Sequence, residues 1–326
     1  MTVGLLHHKF KLTKKLIIPF IAVLLSYALF FSIKKGNISF SLTESETSEV
    51  KINTQYKFLS PYSGNDRTPQ TKVNAFEKEL IKIDEIYKDI DVSIYYRDLN
   101  NGPWTAYNPL SIFDGASLLK VPILISYLKS AEQNSDLLKT KIFYEKELEK
   151  IENQDKNFNN VIKVGETYTI EYLLEEMIYK SDNGALALLE IAAQELKLYP
   201  TIEETHRLLG LKNNGDLILI DEYSGIFRIL YNSEYLNNEM SEKALSILSK
   251  SEYHNGLTKY APPDLQISHK YGIRYYENDK TQQLHDCGII YTSNPYILCV
   301  MTIGENIEIQ EKIISKIAQK SFEIFK

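Results

Sequence analysis

Three kinds of hydrophobic pattern succeed one another along the chain. Residues 16–33 are an unbroken uncharged run, LIIPFIAVLLSYALFFSI, between Lys15 and Lys34. That is about the shortest helix able to cross a hydrocarbon core of about 30 Å. Residues 36–69 then lose all periodicity and are rich in Ser, Thr, Glu and Asn, the composition of a solvated stalk. From residue 70 onward the pattern is that of a folded domain. Phe76, Leu80, Ile83 and Tyr87 recur at helical spacing within 71–90, which predicts an amphipathic helix. Residues 92–97 alternate and are β-branched or aromatic; a turn at Asn100, Gly102 and Pro103 leads to a partner strand over 104–107. The stretch 117–250 is mostly helical. Strand patterns return over 265–274, 284–292 and 296–304, the last two joined through Ser293-Asn294-Pro295. Ile307, Ile313, Ile314, Ile317 and Phe322 then mark a final amphipathic helix.

Two strands early and three late, with helices between, predict one five-stranded antiparallel sheet assembled from both ends of the domain. Flanking helices and a mostly helical lobe complete an α+β architecture. A cleft between sheet and lobe is the natural position for a site. The expected organisation is a tail and anchor over 1–35, a stalk over 36–69 and one domain over 70–326.

Charge refines the picture at the amino terminus. Residues 1–35 hold six lysines and no acid, so lifting those six charges from the formal net of −6 leaves −12 for residues 36–326. A body that acidic lacks the basic footprint nucleic acid needs. Lysines concentrated before the apolar run predict a single-pass anchor in the cell membrane through residues 16–33, with the amino terminus cytoplasmic and the domain outside. The competing reading is a cleaved signal with a small-x-small site at Ser26-Tyr27-Ala28. Cutting there would fall inside the apolar run, before Leu29, so the anchor is preferred. The two cysteines, Cys287 and Cys299, form no C-x-x-C pair.

Three short motifs carry candidate chemistry. In Asp114-Gly115-Ala116-Ser117-Leu118-Leu119-Lys120, a helix starting near Ser117 puts the Lys120 amine on the face of the Ser117 hydroxyl. A lysine of lowered pKa activates a serine nucleophile, and the helix start offers N–H groups to an oxyanion. Pro122 makes that first turn irregular. Ser181-Asp182-Asn183 separates two helical runs, where each residue type is also a preferred cap. His269-Lys270-Tyr271-Gly272-Ile273 lies in a predicted strand, and Gly272 signals either a bulge or a close approach to the backbone.

In this order and setting the motifs resemble those of the class A β-lactamase and penicillin-recognising serine enzyme superfamily, whose signature is Ser-x-x-Lys, Ser-Asp-Asn and Lys-Thr-Gly. The resemblance spans roughly residues 70–326. It implies Ser117 as acylated nucleophile, Lys120 as its base and Ser181 as proton donor to the leaving nitrogen. Asn183 would bind the substrate amide, Lys270 would supply charge, and Tyr271, Gly272 and Ile273 would line the substrate, with the Ser117 and Ile273 N–H groups as oxyanion hole. The implied partner is a small-molecule β-lactam or D-alanyl peptide, with no metal and no organic cofactor. The implied alternatives are a D-alanyl-D-alanine carboxypeptidase with slow deacylation and a non-catalytic wall-binding module on the same fold.

The chain departs from that pattern twice. Its third motif reads Lys-Tyr-Gly, which weakens carboxylate recognition there; Arg274 reads as a solvated strand-end residue, with a substitute cation as the alternative. No Glu-x-x-x-Asn loop follows the second motif, and Glu222 reads as a first-turn acid complementing a helix dipole. His285-Asp286 reads as a strand-start pair without a Gly-x-Ser-x-Gly elbow to serve, and His206 as part of a solvated face. With the hairpin centred on Ser293-Asn294, Cys287 would oppose residue 300, so the cysteines would face opposite sides and stay reduced.

Overall fold

A computed structural model describes residues 56–59, 67–100, 102–145, 161–212, 216–276 and 280–325. Helix α1 (Gln70–Ile86) leads to β1 (Asp91–Asp98), β2 (Trp104–Tyr107) and the short β3 (Ile112–Asp114). A 3₁₀ turn, Ala116–Leu119, runs into α2 (Lys120–Ala131). Next come β4 (Lys141–Phe143), β5 (Thr167–Thr169), α3 (Ile170–Tyr179), α4 (Asn183–Glu195), α5 (Ile202–Leu208), β6 (Leu217–Leu219), α6 (Ile220–Tyr231) and α7 (Asn238–Leu248). The chain closes with β7 (Ile267–Tyr275), β8 (Gln282–Ile290), β9 (Tyr296–Gly304) and α8 (Ile307–Ile324).

The five-stranded sheet has the order β2-β1-β9-β8-β7 and every described pairing is antiparallel. Strand alternation divides the core in two. Ile94, Tyr96, Leu298 and Val300 face α1 and α8, where they meet Val73, Phe76, Ile314 and Ile317. Tyr95, Ile297, Cys299 and Met301 face the helical lobe, with Phe227 of α6. The α+β fold is therefore the expected one. Two extra ribbons, β3 with β6 and β4 with β5, interrupt the stretch read as helical.

Two expectations are corrected. The register pairs Cys287 with Cys299 and Ile290 with Tyr296, so the hairpin turns through Tyr291–Pro295 and is centred on Ser293 alone. That half-residue shift brings both thiols to one face, where they form a buried disulfide with a Cα–Cα distance of 4.0 Å. The expected solvated stretch 36–69 does not hold at Phe58 and Leu59. Phe58 and Leu59 are buried, the Phe58 ring packs against Tyr291 at 5.3 Å, and the N–H groups of Lys57 and Phe58 both donate to the Glu242 carboxylate at 2.8 Å. Two apolar side chains in a polar context suffice to dock the segment.

The expected membrane span, 16–33, lies outside the described residues. Among the described residues no helix is long and apolar enough to cross a membrane.

Candidate active site

The approach to Ser117 is a strained turn. Ala116, immediately before it, has a φ of 44°, a left-handed conformation that a non-glycine residue holds only where its surroundings enforce it. The Ala116 N–H donates to Asp114 Oδ1 at 2.8 Å, and the Leu118 carbonyl accepts from the fully buried Tyr223 hydroxyl at 2.9 Å. Ser117 lies in the 3₁₀ turn and Lys120 opens α2. Side chains three apart eclipse in a 3₁₀ helix, so the pair shares a face as the spacing predicts. Pro122 falls in the first turn of α2, where its missing N–H costs no helical bond.

Lys120 reaches away along the chain. Its Nζ donates to Ser181 O at 2.6 Å, Asn183 Oδ1 at 2.6 Å and Ser181 Oγ at 3.1 Å. Those three acceptors account for every N–H of an ammonium group. Among the described residues the Ser117 hydroxyl takes no hydrogen bond. Lys270 Nζ donates to the same Ser181 Oγ at 2.9 Å. Four residues expected at the site, drawn from three distant stretches, therefore form one cluster.

Burial sets the electrostatics. Lys120 is 2% exposed and Lys270 is wholly buried. Burial pushes Lys120 down to about 7, against the charges of Asp182 and Glu190, which raise it. Burial and then the neighbouring Lys120 charge hold Lys270 well below the usual lysine range, opposed by Asp286. The hydroxyl oxygen of Ser181 accepts from both lysines, which fills its acceptor sites and leaves its proton to be donated elsewhere.

The cap reading of the second motif also holds, on a different residue from the chemistry. Asp182 is the N-cap of α4: Oδ1 accepts the Ala185 N–H at 2.8 Å and Oδ2 the Val161 N–H at 2.6 Å. Its neighbours Ser181, at a φ of 56°, and Asn183 are thereby turned toward Lys120. Asp182→Ala is expected to lower stability by about 1–2 kcal/mol, read by thermal unfolding. A loss below about 0.5 kcal/mol, the level of an ordinary surface substitution, would mean that the cap does not anchor α4.

On the third motif, a Cβ added to Gly272 would lie 3.1 Å from Leu118 N, 3.2 Å from Ser117 N and 3.3 Å from Gly115 O. Of the two readings of this glycine, close approach to backbone is the one observed, the backbone being that of the Ser117 turn. Tyr271 is 2% exposed, with its ring stacked on Tyr253 at 4.0 Å and Lys270 Nζ 4.1 Å from its centroid. Ile273, half-buried, follows on the same strand.

Two further expectations change. Arg274 is no solvated strand end: its Nε donates to Asp114 Oδ2 at 2.8 Å. His285 and Asp286 do not pair, because neighbours on a strand point to opposite faces. Asp286 instead meets His269 Nδ1 at 2.8 Å and the Leu257 N–H at 2.8 Å, while His285 Nε2 lies 3.0 Å from Asp114 O. Glu222 does stand in the first turn of α6, paired with Lys212 at 2.8 Å. Only eight residues, 209–216, connect α5 to β6. Among the described residues no group of three or more His, Cys, Asp or Glu side chains is arranged to hold a metal.

Comparison with known proteins bears on the family and the fold. The sequence model of the family described as Beta-lactamase enzyme family matches residues 75–325. No curated protein matches the chain. Among solved structures, that of PBP-A is 16% identical with a TM-score of 0.65 and covers 81% of this chain and 99% of its own. A class A β-lactamase from Mycobacterium abscessus is 16% identical at a TM-score of 0.64, covering 77% of this chain and 99% of its own. One from Bacteroides cellulosilyticus is also 16% identical at 0.64, covering 80% and 99%. At such identity these likenesses concern the fold.

Proposed function

The chain belongs to the β-lactamase enzyme family, and from that premise we propose that it is a serine acyl-enzyme in which Ser117 attacks the amide carbonyl of a β-lactam or a D-alanyl peptide. The observation that carries the reading is the convergence of Lys120 and Lys270 on Ser181 Oγ, at 3.1 and 2.9 Å, beside the Ser117 turn. Loss of one proton from Lys120 frees a lone pair for the Ser117 hydroxyl, which shares its face. The Ser117 oxygen then bonds to the carbonyl carbon as its proton passes to Lys120. The resulting oxyanion is received by backbone N–H groups at the 3₁₀ turn and on β7. As the C–N bond breaks, Ser181 gives its proton to the nitrogen and recovers one from the adjoining lysines. Asn183, whose Oδ1 is engaged by Lys120, keeps both amide N–H donors for a substrate carbonyl.

A specific observation favours slow release of the acyl group. The eight-residue connection 209–216 is short for a loop carrying a water-activating carboxylate, and Glu222 is held by Lys212. The reading is therefore nearer a penicillin-binding peptidase than a fast resistance enzyme. The lysine-flanked run 16–33 supports an extracytoplasmic domain tethered to the membrane, and the Cys287–Cys299 disulfide fits such an oxidising compartment.

Intact mass measurement of the full chain after exposure to a labelled penicillin tests this. A one-to-one adduct persisting for hours is expected. Prompt release of opened drug would overturn slow deacylation, and absence of any adduct would overturn the acyl-enzyme itself.

A further inference from the structure

Asp114 ends β3 three residues before Ser117, and both of its carboxylate oxygens are engaged. Oδ1 holds the Ala116 N–H at 2.8 Å, in the turn where φ is 44°. Oδ2 accepts Arg274 Nε at 2.8 Å and the Tyr276 hydroxyl at 3.2 Å. Gln283 closes the ring: its Oε1 accepts the Asp114 N–H at 3.1 Å and its Nε2 donates to the Tyr276 hydroxyl at 3.1 Å. Gly272 and Arg274 are two apart on β7 and share a face. The strand thus meets the Ser117 turn twice, by backbone approach at Gly272 and by ion pair at Arg274. Ile273 lies between the two contacts.

We propose that the Asp114–Arg274 pair, closed into a ring by Tyr276 and Gln283, is a positioning device for acyl transfer that sets the spacing of the Ser117 and Ile273 N–H groups receiving the oxyanion. The proposal rests on the acyl-enzyme reading above. Its physical basis is that β7 is an edge strand of the sheet, with no further strand beyond it among the described residues to fix its outer side. The separation between β7 and the turn is left to the contacts that cross it. The ion pair is partly solvated, at 34% and 14% side-chain exposure, so it adds little to global stability. Its consequence belongs in the rate, because displacement of an oxyanion-binding N–H donor by about 1 Å costs up to about 100-fold.

The test uses the full chain and a chromogenic cephalosporin in stopped flow, with initial binding separated from the acylation step. Arg274→Gln and Asp114→Asn are each expected to slow acylation by about 10- to 100-fold with initial binding unchanged. Arg274→Lys recovers part of the loss. The double variant is expected to be no slower than the worse single, because one interaction can be removed only once. Wild-type acylation in Arg274→Gln, losses that multiply in the double variant, or a defect confined to binding would each overturn the device. Arg274→Gln leaves the Ala116 bond intact, so it decides the matter if Asp114→Asn does not fold. Adduct formation in Ser117→Ala, or none in wild type, would instead remove the acyl-enzyme reading and the device with it.

Discussion

Ser117→Ala is expected to abolish covalent labelling by penicillin, and Lys120→Met to slow it by about 10²- to 10⁴-fold, the range a positioned general base contributes. The serine result follows from chemistry alone, since no ester forms without the hydroxyl. The lysine result depends on geometry. Lys120 is buried with its Nζ on Ser181 and Asn183, and among the described residues no carboxylate is hydrogen-bonded to the Ser117 hydroxyl, so the reading rests on Lys120 as the base. Methionine keeps the length and apolar body of the side chain but leaves the Ser181 carbonyl and Asn183 Oδ1 without their donor, which costs stability as well. Rate and fold must therefore be read separately, by acylation kinetics and by near-ultraviolet circular dichroism with thermal unfolding. A native spectrum with an acylation rate within a few-fold of wild type would take Lys120 out of the mechanism. Labelling retained in Ser117→Ala would move the nucleophile elsewhere.

The parts of this site that were legible in the sequence are those with local spacing. Ser117 and Lys120 share a face because they stand three positions apart, and the sheet was legible because β1 and β9 are eight- and nine-residue runs rich in β-branched, aromatic and other apolar side chains. The less legible parts depend on partners far away. Arg274 meets Asp114 across 160 positions, and nothing in its neighbourhood distinguishes it from a solvated arginine. Lys120 points to Ser117 in the sequence but donates to Ser181 and Asn183, 61 and 63 positions on. Tyr223, which holds the Leu118 carbonyl, carries no motif at all. The disulfide was missed through parity: moving the hairpin centre by half a residue exchanges the two faces of one strand. Strands β3 to β6 are three residues each, too short for alternation to register.

Acylation by the wild-type chain is expected to rise about tenfold per pH unit below 7 and to level off above it, because the base must lose one proton and burial holds Lys120 at about 7. The same depression fixes the sign of a stability effect. The unfolded lysine titrates at about 10.4, so between about pH 7 and that value the unfolded chain binds a proton that the folded chain does not. Stability then increases as pH rises through the window and is lost again as pH falls toward 7. Lys270, held low by burial and by the Lys120 charge, acts in the same direction. The buried hydroxyls of Tyr96 and Tyr223 are pushed above their ordinary value and oppose the trend only at the alkaline end. Denaturant unfolding at pH 7, 8 and 9, alongside the acylation profile, reads both effects. A flat acylation profile from pH 5 to 8 would remove a titrating base from the acylation step. Stability that stays level or falls from pH 7 to 9 would mean that both ammonium groups remain charged in the folded chain, which would leave Ser117 without a base.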